Sequence, residues 1–300
     1  MRTPSAERGS GGEVGDESFH NLPASRTFLI MSDQNLVSPH AQQTVWRTAV
    51  AGTIMVPMDA DFFVTCLIDS LFPEVAESSV RLLRRAAVQI AFPCGQTCCG
   101  QPLFNTGFRG LARQQALRTM AVLERRQVPV IVPSGSCAAM IRQGYLELFA
   151  GETEAQSRAQ RLAGRTYELS EFLVEVLAWE PPAQAGPPIV YHASCHLQRG
   201  LGVDAAPRRL LKAAFGAPVA VLPPECCGFG GAFAADHAEI SAAMLERRLL
   251  QIEASGAARV VANDVGCLMH LEGGLRRRVH SEVRCAHLVQ ALEGDWGGLR

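Results

Sequence analysis

From Asp61 onward the chain alternates short apolar runs with longer stretches of helical spacing. DFFVTCL (61–67) predicts a strand. PEVAESSVRLLRRA (73–86) predicts a helix with Pro73 near its first turn, where a missing N–H costs nothing. VQIAF (88–92) predicts the next strand. Residues 108–126 predict an amphipathic helix with Leu111, Leu117, Met120 and Leu123 on or near one face. VPVIV (128–132) predicts a third strand, Pro129 marking its start or an exposed edge. Two helical stretches, 138–149 and 155–178, lead to the Pro-rich EPPAQAGPP (180–188). The same order then returns: a strand from Ile189, a helix near 206–215, the strand PVAVLP (218–223), a helix over 237–254 closed by Gly256, and the strand RVVAN (259–263). Strand and helix in alternation predict an α/β fold, with parallel sheets flanked by helices.

The first 57 residues lack this periodicity. MRTPSAERGSGGEVGDESFHNLPASR is rich in Gly, Ser and charge, and predicts a disordered extension without the apolar core of a secretory signal. A translation start at Met55 or Met58 is one expectation, which an intact mass of natively expressed protein tests. The expected organisation is therefore an extension (1–57), a first unit (58–180), a linker (181–188) and a second unit (189–300). The apolar stretch Ala49–Met58 stops at Asp59 and Asp61, so no membrane span is expected. With 28 Lys and Arg against 29 Asp and Glu, the net charge of −1 argues against a protein-wide nucleic-acid surface.

The ten cysteines change the picture most. The chain has 300 residues, 48% of them hydrophobic, and does not need disulfide staples. Two pairs are adjacent in sequence, Cys98-Cys99 and Cys226-Cys227, and neighbouring cysteines rarely bridge each other. Cys195 lies 129 residues after Cys66, Cys226 lies 128 after Cys98, and Cys267 lies 130 after Cys137. TCCGQ is matched by ECCGF, and VPSGSCAAM by ANDVGCLMH. The chain therefore carries an internal repeat in which four cysteine positions keep register. Each falls at or just after the end of a predicted strand, so the topology gathers four thiols along the sheet edge where open α/β sheets bind ligands. Helices beginning close to Cys137 and Cys267 would aim N–H groups at the same place and favour thiolate.

Four thiolates suit zinc or an iron–sulfur cluster. Structural zinc commonly takes pairs of cysteines two to four residues apart, whereas SGSC and DVGC each hold one. Adjacent cysteines chelate a single tetrahedral ion poorly but can address different irons of a polynuclear cluster. Gly100, Gly228, Gly230 and Gly231 allow backbone N–H groups to approach sulfur. The residues favour iron–sulfur over zinc.

These motifs resemble the CCG-type cysteine-rich proteins, which include heterodisulfide reductase B-type subunits and the iron–sulfur subunit of glycolate oxidase. The likeness is greatest to the lactate utilization protein A family of iron–sulfur oxidoreductases. It is carried by VTCLIDSLFPEVAESSVRLL, QTCCGQPLFNTG, VPSGSCAAMI, RTYELSEFL, HASCHLQRGLG, ECCGFGGAFA, ISAAMLERRLLQIEASGA and NDVGCLMHLEGGLRRR, across residues 61 to about 292. The resemblance implies two tandem pseudo-symmetric, Rossmann-like repeats in a cytoplasmic protein. It implies an electron-transfer subunit that works with a ferredoxin-like iron–sulfur subunit and a third small subunit in oxidising L-lactate to pyruvate. By position, Cys66, Cys98, Cys99 and Cys137 would hold a first [4Fe–4S] cluster, and Cys195, Cys226, Cys227 and Cys267 a second. The heterodisulfide reductase branch has a further cysteine where this chain has Ser134 and Asp264, so an ordinary cluster in each half is the simpler expectation. Glycolate or another 2-hydroxy acid, a thiol/disulfide couple, and a zinc-stabilised scaffold without redox role are the rival readings.

The remaining candidates carry less. Asp264 is read as a cap for the helix that follows it. Cys94 and Cys285 have no counterpart in the other half and are read as core or spare thiols. His192 and His196 flank Cys195 and offer metal ligation or proton transfer. Because Phe63 and Leu67 stand at the equivalent places, hydrogen bonding or packing is the reading preferred for both. His237 and His270 are read as surface or packing residues. GFGG (228–231) lacks nucleotide-loop spacing. Arg109, Arg142, Arg199 and the run 276–278 are read as solvated helix residues.

Overall fold

The structure is a computed structural model and describes residues 57–216, 219–278 and 281–299. The expectations for the N-terminal extension and for a start at Met55 lie outside the described residues. Two four-stranded sheets form the framework. The first contains β1 (Met58–Phe62), β2 (Val88–Ala91), β3 (Val130–Val132) and β4 (Thr166–Glu168), in the order β2-β1-β3-β4. The second contains β5 (Ile189–Tyr191), β6 (Ala220–Val221), β7 (Arg259–Ala262) and β8 (Arg284–His287), in the order β6-β5-β7-β8. All pairings are parallel, so the α/β class and the duplicated parallel sheet stand as the sequence predicts.

Three local expectations are corrected. The strand expected over 61–67 ends at Phe62, and Cys66 already opens a helix, Cys66–Leu71. The cause is Gln96: its side chain accepts from the Val64 N–H at 2.9 Å and donates to the Phe62 carbonyl at 3.1 Å, taking over the pairing of the sheet. The helix expected over 155–178 is interrupted. It runs Thr153–Ala163, then β4 lies between it and the turn Leu169–Glu171. β8 is a second strand that the pattern does not reveal. Finally, the buried face of helix Arg109–Leu123 is built by Ala112, Ala116, Met120 and Leu123, while Leu111 is 52% exposed.

The two halves share one apolar core. Phe62, Leu82 and Leu173 of the first join Val190, Leu210 and Leu288 of the second. The opposite face of the first sheet is covered separately by Met120, Leu123, Ile141 and Phe149. An ion pair between Arg85 and Glu293, at 2.7 Å, ties helix Pro73–Arg85 to helix Leu288–Glu293. At the other side the halves meet through glycine: a Cβ on Gly135 would fall 2.6 Å from the Leu197 Cβ, so only glycine permits this approach. In each sheet the order reverses between the first and third strands, the place where open α/β sheets form a binding crevice. Cys66 and Cys137 follow the strands flanking that point in one half, and Cys195 and Cys267 follow those in the other.

Candidate metal centres

Each half brings its four sequence-matched cysteines together. In the first, the Sγ atoms of Cys66 and Cys98 are 3.7 Å apart, and those of Cys99 and Cys137 3.4 Å. In the second, Cys195 and Cys226 are 3.9 Å apart, and Cys227 and Cys267 3.2 Å. The adjacent cysteines also interact through their side chains, which closes each set into a continuous run of four sulfurs. Both sets line one cleft of about 940 Å³, its open mouth included. Its wall also carries Gln101, Asn105, His196, Phe229 and Asp264.

The electrostatics repeat with the geometry. The Cys66 and Cys99 thiols donate to Cys98 and bring its pKa down to about 3, helped by the Gly100 N–H, whose nitrogen is 3.4 Å from the Cys98 Sγ. In the second half Cys195 and Cys227 do the same for Cys226, down to about 2, and the Gly228 N–H stands at the same 3.4 Å. The shared protons push Cys66 and Cys195 up through their bonds to Cys98 and Cys226. Gly100 and Gly228 have φ of 89° and 94°, and only that left-handed backbone turns the N–H back onto the sulfur two residues earlier. Each half thus offers one ready thiolate beside three further cysteine sulfurs, a soft, anion-stabilising donor set that fits thiophilic metal.

The two cysteine loops are supported differently. Gln115 Nε2 donates to the Cys98 carbonyl at 2.8 Å, and Tyr145 donates its hydroxyl proton to the Cys99 carbonyl at 2.9 Å. In the second half the buried Arg248 donates to the Glu225 carbonyl, and Ser241 donates to that of Gly228 at 2.8 Å. None of these was singled out in the sequence, because polar residues on helices give no sign of which loop they support.

Asp264 does not cap its own helix. Its Oδ1 accepts from Ser134 Oγ at 2.6 Å and from the Ser136 N–H at 3.0 Å, both in the other half, and its Oδ2 accepts from Ser194 Oγ. Asp264 therefore serves the first turn of helix Gly135–Ala139, whose own cap, Ser134, accepts from the Cys137 N–H. Burial raises the Asp264 pKa, but these donors outweigh it, and the carboxyl stays below its usual range.

His192 and His196 separate clearly. His196 lines the cleft, its Nδ1 3.7 Å from the Cys195 Sγ. His192 is fully buried, and neither ring nitrogen has a hydrogen-bond partner, so of the two roles expected of it, hydrogen bonding or packing, packing is the one the structure shows. Burial depresses its pKa to about 3 and keeps the ring neutral. Among the described residues, His192, Cys227 and Cys267 form the one group of three whose ligand atoms lie within 4.8 Å of each other.

The other candidates fall into place around the site. Cys285 is buried in the core and Cys94 is exposed. Arg109 pairs with Glu147 at 2.9 Å, Arg142 with Glu171 at 2.7 Å, and Arg276 with Glu272 at 2.9 Å. His270 packs beside the Phe229 ring and lies 3.4 Å from Ser241 Oγ. No helix among the described residues is long and apolar enough to cross a membrane.

Comparison with known proteins agrees with this geometry. A family model described as a cysteine-rich (CCG) domain matches residues 60–142 and 189–272, one match in each half. Lactate utilization protein A 2 of Bacillus cereus (strain Q1) is 39% identical over 240 residues, which cover 78% of this chain and 98% of that protein. Lactate utilization protein A of Geobacillus kaustophilus (strain HTA426) is 40% identical over 238 residues, with the same coverage. Lactate utilization protein A 1 of Bacillus anthracis (strain CDC 684 / NRRL 3495) is 38% identical over 240 residues. The chain belongs to the lactate utilization protein A family of CCG cysteine-rich domain proteins.

Proposed function

We propose that the chain is an iron–sulfur electron-transfer subunit of a cytoplasmic complex that oxidises L-lactate to pyruvate. Cys66, Cys98, Cys99 and Cys137 would hold one [4Fe–4S] cluster, and Cys195, Cys226, Cys227 and Cys267 the other. The observation that carries this reading is the opening of both four-sulfur runs onto one cleft. When bound, such clusters supply one-electron acceptance at potentials set by charge and hydrogen bonding to sulfur. The residues around them do the rest. Gly100 and Gly228 donate N–H groups to thiolate and ease the burial of negative charge. Gln101, Asn105 and His196 offer polar groups on the cleft wall to a small hydroxy acid. The names of the relatives favour lactate over glycolate and over a thiol/disulfide couple. A ferredoxin-like subunit and a third small subunit are the partners proposed to take the electrons onward.

Zinc is the second reading, and one group favours it: His192, Cys227 and Cys267 are close enough to hold a single ion. Against it, among the described residues no three of the eight sulfurs lie within 4.8 Å of one another. A tetrahedral four-thiolate zinc site has edges of about 3.8 Å throughout, from Zn–S bonds of about 2.3 Å.

The test is anaerobic co-purification from the native cell, with iron and sulfide quantification and a lactate-dependent dye-reduction assay. Brown protein that is reduced on adding lactate supports the proposal. Colourless, zinc-loaded protein refutes the cluster reading. Iron-loaded protein that responds to glycolate but not lactate refutes the substrate alone.

A further inference from the structure

We propose that an imidazole nitrogen of His192 is a ligand of the second centre, so that two halves alike in their cysteines hold chemically different clusters. This rests on reading the cysteine sets as iron–sulfur sites, and goes beyond it by adding a nitrogen to one of them.

Position comes first. His192 directly follows β5, and its backbone N–H donates to the Val261 carbonyl at 2.8 Å, so the sheet fixes where the side chain starts. The ring is fully buried, and both of its nitrogens lack a partner. A neutral imidazole brings one donor and one acceptor, and burying both unpaired is costly. The fold has no need of them: the matching residue of the first half is Phe63, equally buried. A polar ring kept where the repeat accepts a hydrocarbon points to a bond that the polypeptide itself does not supply.

The neighbours say what that bond is to. A ring nitrogen lies within 4.8 Å of the sulfurs of both Cys227 and Cys267. Two thiolates and an imidazole are a donor set that iron takes readily. His196 does not compete for this place, since its Nδ1 faces Cys195 at the cleft wall. Nitrogen is a neutral donor where thiolate is anionic. Added to four thiolates, the nitrogen leaves the net charge unchanged but alters the donor set, and so moves the potential of this centre away from the value four thiolates alone would give.

The experiment uses the full chain, purified anaerobically from cells fed 15N-histidine, read by pulsed electron paramagnetic resonance and by redox titration. A strong hyperfine coupling that changes with the isotope is expected. It should vanish in His192→Phe, which borrows the first half's own residue, and persist in His196→Gln. In His192→Phe one of the two midpoint potentials should shift while the other stays where it is. Iron-loaded protein without imidazole coupling, or with only the weak coupling of an N–H···S contact, overturns the inference and leaves the cysteine sets intact. Protein without iron, or with zinc at His192, overturns both. If His192→Phe does not fold, the labelled wild-type spectrum decides alone.

Discussion

Glu168 and His287 stand at the same place in the two halves, at the end of the last strand of each sheet, as do Ser134 and Asp264, and Phe63 and His192. The cysteines and their following glycines are kept through the duplication, while the groups around them diverge. The first half surrounds its sulfurs with Phe63, Tyr145 and Ser134. The second surrounds them with His192, Arg248 and Asp264. A repeat thus fixes where thiols converge, and leaves each half free to set the charge and hydrogen bonding beside them. The largest test of that separation is to disable one half at a time. Cys99→Ser and Cys227→Ser should each lower bound iron and sulfide by roughly half, because each set is built from its own strands. If either variant lost all of its iron, the halves would not be independent sites.

Where the halves do depend on each other, Asp264 carries much of the link. Its carboxylate accepts from Ser134 and Ser136 on one side and Ser194 on the other. Asp264→Asn replaces an acceptor by a donor facing buried donors, and should cost about 3 kcal/mol. Ser134→Ala removes one of these bonds and should cost about 1 kcal/mol. Urea midpoints under anaerobic conditions measure both. Equal costs would mean that the carboxylate does not bridge the halves. The pKa of Asp264 is held low, so its contribution is present above the usual aspartate range and fades as the pH falls through its folded value.

The pair Glu168 and His287 sharpens the comparison by pH. Both cap the helical turn after the last strand, and both are buried. Burial raises Glu168 from 4.5 to about 7 and lowers His287 from 6.5 to about 4. For the acid, stability is greatest below 4.5 and is lost as the pH rises toward 7. For the base, stability is greatest above 6.5 and is lost as the pH falls toward 4. Each slope amounts to about 3 kcal/mol at most, and the two oppose each other across the shared range. Relative to the wild type, Glu168→Gln should gain stability in thermal unfolding as the pH rises, and His287→Asn should gain it as the pH falls. Two variants with the same slope would contradict the opposed assignment.

The register of the cysteines was legible because it needs only counting, and the central strands because their apolar runs are flanked by helices. TYE (166–168) and RCAH (284–287) were not, since three or four mixed residues become strands only beside β3 and β7. The buried face of helix Arg109–Leu123 departs from the apolar pattern because Ala112 and Ala116 give a weaker apolar signal than the exposed Leu111. The partner of Asp264 lies 130 residues away in the other half, and nothing along the chain announces that the halves meet there. His192 stands beside Cys195 in the sequence, where comparison with Phe63 favours hydrogen bonding or packing over a ligand role. The structure turns that same comparison into the argument for a ligand.

The smallest contrast lies in the two glycines after the cysteine pairs. Both have the left-handed backbone that a non-glycine residue adopts at a cost of about 1 to 2 kcal/mol. Their surroundings differ. A Cβ on Gly100 would come no closer than 3.4 Å to the side chain of Gln115, which is ordinary contact. A Cβ on Gly228 would lie 2.7 Å from the Ser241 carbonyl oxygen and 3.0 Å from the Met244 Cβ, where helix Ala238–Ala254 would have to shift. Gly100→Ala should therefore show only the conformational cost, and Gly228→Ala that cost plus about 1 kcal/mol or more of overpacking. The midpoints of the two variants, compared with wild type in one denaturant series, measure the difference. A Gly100→Ala loss as large as that of Gly228→Ala would mean that backbone strain, not the closeness of the helix behind the loop, limits both positions.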